Sequence, residues 1–300
     1  MVSHFPRGAT WPEIAAALSS PHPQVNLHGL TPGAGMYVLA RLFQKLRRPL
    51  LLITPNTGAH ETFLKDVAFF LGEESGRNGG PWPRLLLFPA HEVLPFRELS
   101  FDTDISCARI GAAYALLTSQ EPCLVVAPAA ALRQEMPPAS RLKDLLAYVV
   151  VGENLGREDF LLKLQEGGFE RRPLVEARGE ISVRGGIIDL FPPLYDQPLR
   201  LEFWGDEVES IRLFDPATQR SQGALEDLVV LPANEVVLDA RAREYALSRR
   251  KRRQDPRFWH NVQAGRHFHG IERFLAEFYP IPETLWDYLP PDTVVVEWDP

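Results

Sequence analysis

The sequence predicts an α/β protein: parallel βαβ units together with a β-rich stretch. Two patterns predict it. Short apolar runs edged by proline, PLLLITP at 49–55, RLLLFP at 84–89 and PCLVVAP at 122–128, alternate with helical stretches at 61–71 and 104–118. Alternation of that kind is the signature of parallel βαβ units. Between Gly179 and Asp215 the period changes to two, the mark of strands with one buried face.

Composition sets the outer bounds. Of 300 residues, 45% are hydrophobic and 24% charged, as in an ordinary globular protein with room for two domains. No apolar run approaches the ~18 residues of a spanning helix, and the N-terminal stretch MVSHFPRGATWPEIAAAL lacks the pattern of a signal peptide. Cys107 and Cys123 are the only cysteines, too few for a disulfide framework, so a cytoplasmic setting is expected. The net charge of −7 offers nucleic acid no global attraction.

Along the chain, Thr10 to Glu13 form a capping box opening a helix to Leu18. A short strand is expected over 26–30, then a glycine-rich loop, Gly29 to Met36, and a helix carrying Val38, Leu39, Leu42, Phe43 and Leu46 on one side. A boundary falls near Pro137-Pro138. Beyond it lie an apolar run at 145–151 and a helix over 157–165. A helix over 239–255 carries the basic run Arg249 to Arg253. The final run, DTVVVEW at 292–298, reads as a buried strand with nothing after it, which suggests a piece of a longer protein.

In the β-rich stretch, Ile181 and Val183 face one way, and Glu180, Ser182 and Arg184 the other. Ile187 to Phe191 reads as an apolar strand. Leu199, Leu201 and Phe203 alternate with Arg200, Glu202 and Trp204, and Gly205-Asp206 forms a tight hairpin turn. With the aliphatic face buried, Arg184, Arg200, Glu202 and Trp204 share an exposed face of interface-like composition. Replacing its charged residues is then expected to leave the fold intact, with Glu202 holding Arg200 in position.

The series VRGGIIDLFPP, LRLEFWGDEVESI and FDPATQRS resembles the module shared by the excision-repair protein UvrB and the N-terminal region of the bacterial transcription-repair coupling factors, the Mfd family. Two departures favour the coupling factors over UvrB. A working phosphate loop is G-x-x-x-x-G-K-[ST]. In Gly29, Thr31, Gly33, Gly35 and Met36, the lysine place is taken by Gly35 and the hydroxyl place by Met36, so the loop reads as degenerate. Where UvrB has a tyrosine-rich, damage-probing hairpin, Leu87 to Phe96 has only a Pro-punctuated loop with no tyrosine.

The resemblance implies a RecA-like parallel-sheet domain from 1–139 and 203–300, with a small α+β UvrA-binding domain inserted at 140–202. It implies contacts to UvrA from Arg171, Arg184, Arg200 and Glu202, and one arginine of the UvrB set falls on Ser182 here. It also implies that ATP, magnesium, RNA polymerase and double-stranded DNA are bound by parts of the parent translocase absent from this chain. No cofactor, metal or membrane is expected for the region itself. The alternatives are a truncated UvrB-like DNA-loading protein, which would need an intact phosphate loop, and a self-standing nucleotide hydrolase, which would need a lysine, a base and a metal site. Phe203 to Glu207 is a poor Walker B motif, because Arg200 and Glu202 interrupt the strand before it. His260, His267 and His269 have no cysteines or close acids to complete a metal site, and the basic run reads first as a solvated helix face.

Overall fold

The proline-edged apolar runs lie side by side in one parallel sheet. The structure, a computed structural model, describes residues 2–4, 11–18, 24–55, 58, 60–72, 84–92, 101–249 and 255–298. In chain order the first elements are β1 (Val2–His4), α1 (Trp11–Leu18), β2 (Gln24–Asn26), α2 (Pro32–Leu46), β3 (Leu50–Thr54), α3 (His60–Leu71), β4 (Leu85–Leu87), α4 (Thr103–Thr118) and β5 (Leu124–Pro128). A 3-10 turn, Ala129–Arg133, leads to α5 (Ala139–Asp144), β6 (Ala147–Val150) and α6 (Arg157–Glu166). Then come β7 (Glu170–Arg171), β8 (Glu180–Arg184), β9 (Ile187–Leu190), β10 (Leu199–Trp204), β11 (Glu207–Phe214), β12 (Ser221–Leu225) and β13 (Asp227–Val230). The chain continues through α7 (Ala240–Ser248), α8 (Pro256–Gln263), α9 (Leu275–Phe278) and α10 (Leu285–Tyr288) to β14 (Val294–Glu297).

The parallel sheet has the order β14-β3-β5-β4. Helices cover both faces, which is why its strands are apolar throughout. Met36, Leu39 and Phe43 of α2 and Phe63 and Val67 of α3 pack on Leu50, Leu52, Leu124 and Val126. Ile110, Ala113 and Tyr114 of α4, with Leu285 and Tyr288 of α10, pack on Leu51, Leu86 and Val125. The strand before the glycine-rich loop differs from expectation. It is β2, which overlaps the expected 26–30 only at Asn26, and among the described residues it pairs with β1, outside the four-stranded sheet.

The second unit is an antiparallel sheet of order β12-β11-β10-β9-β8, with the two-residue β7 added in parallel at the edge. Phe160 and Leu164 of α6, together with the β6–β13 ladder, cover its apolar face of Ile181, Ile188, Leu190, Leu199, Leu201, Val208 and Ile211. The expected boundary between Glu202 and Phe203 falls inside β10, the central strand of the β9–β10–β11 ladder. Cutting there would leave a row of backbone groups unpaired, so the unit runs from β6 to β13. The rest of 203–300 does not return to the parallel sheet as one piece. Residues from Val236 to Tyr279 build a separate helical cluster around Phe258 and Trp259, and α10 and β14 rejoin the first unit. The helix read over 239–255 ends at Ser248, capped at its start by the Asp239 carboxylate.

A buried ionic cluster ties the units together. Glu235 accepts from Arg109 Nε of α4 at 2.6 Å and lies 3.0 Å from His91 Nε2. Arg109 also donates to the carbonyls of Pro89 and Glu135, and its guanidinium stacks 4.4 Å from the Phe88 ring. From the helical side, Tyr279 donates to the Glu235 carbonyl at 3.1 Å. Both Glu235 and Arg109 are shut from solvent.

Candidate protein-docking face

The face of the antiparallel sheet turned away from α6 carries the charged residues. Register fixes which ones share a row. Ser182 stands opposite Asp189, Asp189 opposite Arg200, and Arg200 opposite Arg212. In the next row Arg184 meets Ile187, Ile187 meets Glu202, and Glu202 meets Ser210. A bulge then falls between Glu202 and Phe203, with Glu209 as the extra residue on β11. It leaves Phe203 buried in the core and Trp204 on the charged face, 79% exposed. Trp204 pairs with Glu207 across a two-residue turn, where Gly205 adopts φ +63°, a conformation that suits glycine. So Arg184, Arg200, Glu202 and Trp204 lie on one face.

Arg171 does not join them. Its register partner is Ile181, whose side chain belongs to the opposite, apolar face. It is the next residue, Arg172, that pairs with Glu180 on the charged side.

The centre of the face is a residue that reading Ile187 to Phe191 as an apolar strand passed over. The Asp189 carboxylate is 1% exposed and takes three hydrogen bonds. Arg200 donates to it through Nε at 2.7 Å and Nη2 at 2.9 Å, and Arg184 through Nη2 at 2.8 Å. These bonds push the Arg200 guanidinium further up than its ordinary value, against the opposing effect of burial. Arg200 also stacks 4.9 Å from the Phe214 ring and is only 17% exposed in its side chain. Arg184 is 51% exposed. Glu202 does not hold Arg200; it accepts from Ser210 Oγ at 2.7 Å. Asp189, not Glu202, positions the arginines.

The face is open at one end and covered at the other. Val175 packs with Phe191 and Phe214 in a small apolar cluster on the charged side. The segment carrying it is pinned by Ser182 Oγ, which donates to the Pro173 carbonyl, and by Gln219 Nε2, which donates to that of Val175. Arg184, Glu202, Trp204 and Arg212 lie clear of this cover.

The glycine-rich loop starts α2. Thr31 caps the helix by accepting from Ala34 N at 3.4 Å, and Pro32 sits at its first turn. Gly35, at the place of a phosphate-loop lysine, lies beneath the Trp298 indole. A Cβ there would come within 2.2 Å of a Trp298 ring carbon. Met36 is buried under the sheet. Trp298 is held edge-on against Phe63, with ring centroids 5.7 Å apart, and follows β14 directly. Gly35→Lys is therefore expected to act as an overpacking change, costing about 1–3 kcal/mol, without creating ATP binding. Thermal melts and calorimetry with ATP and magnesium check both halves; a stable variant that binds ATP would refute the expectation.

The other sequence candidates assemble no site. Among the described residues no three His, Cys, Asp or Glu side chains could hold a metal, and no helix is long and apolar enough to cross a membrane. His267 is half-buried, and desolvation pushes its pKa down; its Nε2 meets the Glu166 carbonyl at 3.1 Å. Arg250 to Arg253, and Val93 to Phe96 of the Pro-punctuated loop, lie outside the described residues; Arg249 reaches Glu277 at 3.8 Å.

An antiparallel sheet with an apolar core presents an ordered arginine pair and an exposed indole on one face, the composition of a protein-docking surface. Residues 148–236 match the UvrB interaction domain, a span that includes every strand from β6 to β13 except the first residue of β6. Over 225 residues, 75% of this chain and 18% of that protein, the sequence is 40% identical to the transcription-repair-coupling factor of Myxococcus xanthus. It is 29% identical to that of Bacillus subtilis over 90% of this chain and 24% of that protein. It is also 29% identical to that of Escherichia coli K12 over 89% and 23%. The chain belongs with the transcription-repair-coupling factors, as their N-terminal region, and it spans about a fifth of their length.

Proposed function

We propose that this region recruits UvrA, linking a stalled RNA polymerase to nucleotide excision repair, and that it does so without chemistry of its own. The observation that carries this reading is the charged sheet face inside the segment that matches the UvrB interaction domain. Arg184, Arg200, Glu202 and Trp204 lie on it, with Asp189 ordering the two arginines. Arg171 stands apart at the β7 edge, so any contact from it would come from the rim. In this reading the parent protein is an ATP-driven DNA translocase, and its contacts with RNA polymerase and double-stranded DNA lie in other parts of it. That this region binds no nucleotide is supported by the indole over Gly35 and by the burial of Met36.

The test is capture of purified UvrA by the purified chain, for the wild type and for Arg184→Ala. Arg184 is the half-exposed member of the pair, so its loss leaves Asp189 still bonded to Arg200 and the fold in place. Truncating one partner of an interfacial charge pair costs about 2–5 kcal/mol, and 1.4 kcal/mol is roughly tenfold in affinity. The variant should lose most of a micromolar complex. Wild-type protein that fails to capture UvrA would overturn the proposal.

A further inference from the structure

The structure assigns the unpaired cation of this face to Arg212, and we infer that Arg212 meets an acidic patch on the partner while Arg200 serves as its support. This deepens the UvrA-recruiting reading and rests on it. Arg200 is spent inside the protein. Both edges of its guanidinium are bonded to buried Asp189, its plane lies over Phe214, and little of it reaches solvent. Arg212 is its register partner on β11, points to the same side, and is exposed. It makes no ion pair or side-chain hydrogen bond among the described residues.

Two like charges opposite each other on a sheet repel. Here Asp189 neutralises Arg200, which removes most of that cost and lets a third arginine stand on the face. The outward chemistry is then the free part of Arg184, the whole of Arg212 and the Trp204 indole, with half-buried Glu202 bonded to Ser210 and exposed Glu207 opposite the indole. Their rows lie within three strand spacings of about 4.8 Å each. A chain of net charge −7 that gathers cations beside an exposed aromatic on one face is complementary to a protein surface with carboxylates around an apolar socket.

The experiment measures affinity for purified UvrA with wild type, Arg212→Ala, Arg212→Glu and, as a net-charge control, Arg257→Glu on the exposed start of α8. Melting temperatures should match, because Arg212 is exposed and supports no buried group. Arg212→Glu should weaken binding by about tenfold or more and Arg212→Ala by less. The gap should narrow as salt rises from about 0.1 M to 0.5 M, since screening acts on exposed charges. Arg257→Glu should bind as wild type does. Folded Arg212→Glu that keeps wild-type affinity overturns the inference and leaves UvrA recruitment standing. Equal weakening by Arg257→Glu also overturns it, because net charge and not position would then be responsible. Absence of binding by the wild type overturns the recruitment reading, and this inference falls with it.

Discussion

Arg200→Ala should destabilise the protein by about 3 kcal/mol and abolish UvrA binding at the same time. Removing one member of a buried ion pair typically costs about 3–5 kcal/mol, because the other charge is left without a partner. Asp189 would be that charge, sealed beneath the face with only the single bond from Arg184 remaining. The low end of the range applies because the Arg200 side chain keeps 17% of its surface in water. The stacking on Phe214 is lost as well. Arg200→Lys should recover only part of the stability, since an ammonium cannot span both carboxylate oxygens. Urea denaturation followed by circular dichroism measures the loss. An unchanged midpoint would mean that Asp189 is not the anchor described here. The sequence predicts every charged residue of this face to be removable without harm to the fold; the geometry leads to that expectation for Arg184, which is half exposed, but not for Arg200, which is nearly buried on Asp189.

Glu235→Gln is the second change with a large expected effect. It leaves the buried Arg109 guanidinium facing a neutral amide, while the Tyr279 bond to the Glu235 backbone carbonyl is untouched. A loss of about 3 kcal/mol or more is expected. The pH dependence has a definite sign. Burial alone would push the Glu235 carboxyl up, but Arg109 and His91 outweigh it and hold it below the ordinary glutamate value. A carboxylate held low contributes its stability fully above the unfolded value, about 4.3, and loses it as pH falls through the folded one. Glu272 nearby acts in the opposite direction: burial raises its pKa, so its cost appears as pH rises above that same unfolded value. The wild type should therefore lose more stability between about pH 5 and pH 3 than Glu235→Gln does. Parallel acid-unfolding curves for the two proteins would contradict the assignment.

The parallel strands and the alternation in β8 and β10 were legible because each follows a single period over its whole length. The docking face was half legible for the same reason. Asp189 was hidden in a run read as apolar, although its spacing from Ile187 and Phe191 puts all three on the charged side. Arg212 was hidden by the bulge, since Glu209 shifts the alternation of β11 by one residue. The boundary at 202/203 failed because a strand carries no mark of which sheet it joins. β10 is claimed by pairing partners on both sides, and those depend on the turn chemistry around it. Trp298 over Gly35 could not be read at all: the two residues meet through the β14–β3 pairing, which closes nearly the full length of the chain.

That last pairing also sets an order of events during synthesis. Arg48, just before β3, bonds the Asp292 carbonyl, 244 residues away. On the ribosome, where the chain emerges from its N-terminus at roughly 5–20 residues per second, β3 must wait many seconds with one edge unpaired. The antiparallel unit has no such wait: β8 to β13 are sequential hairpins and near neighbours, and their partner β6 has already been made. The docking module can thus be complete while the domain around it is still open, and the indole that closes over Gly35 arrives after the whole of that module.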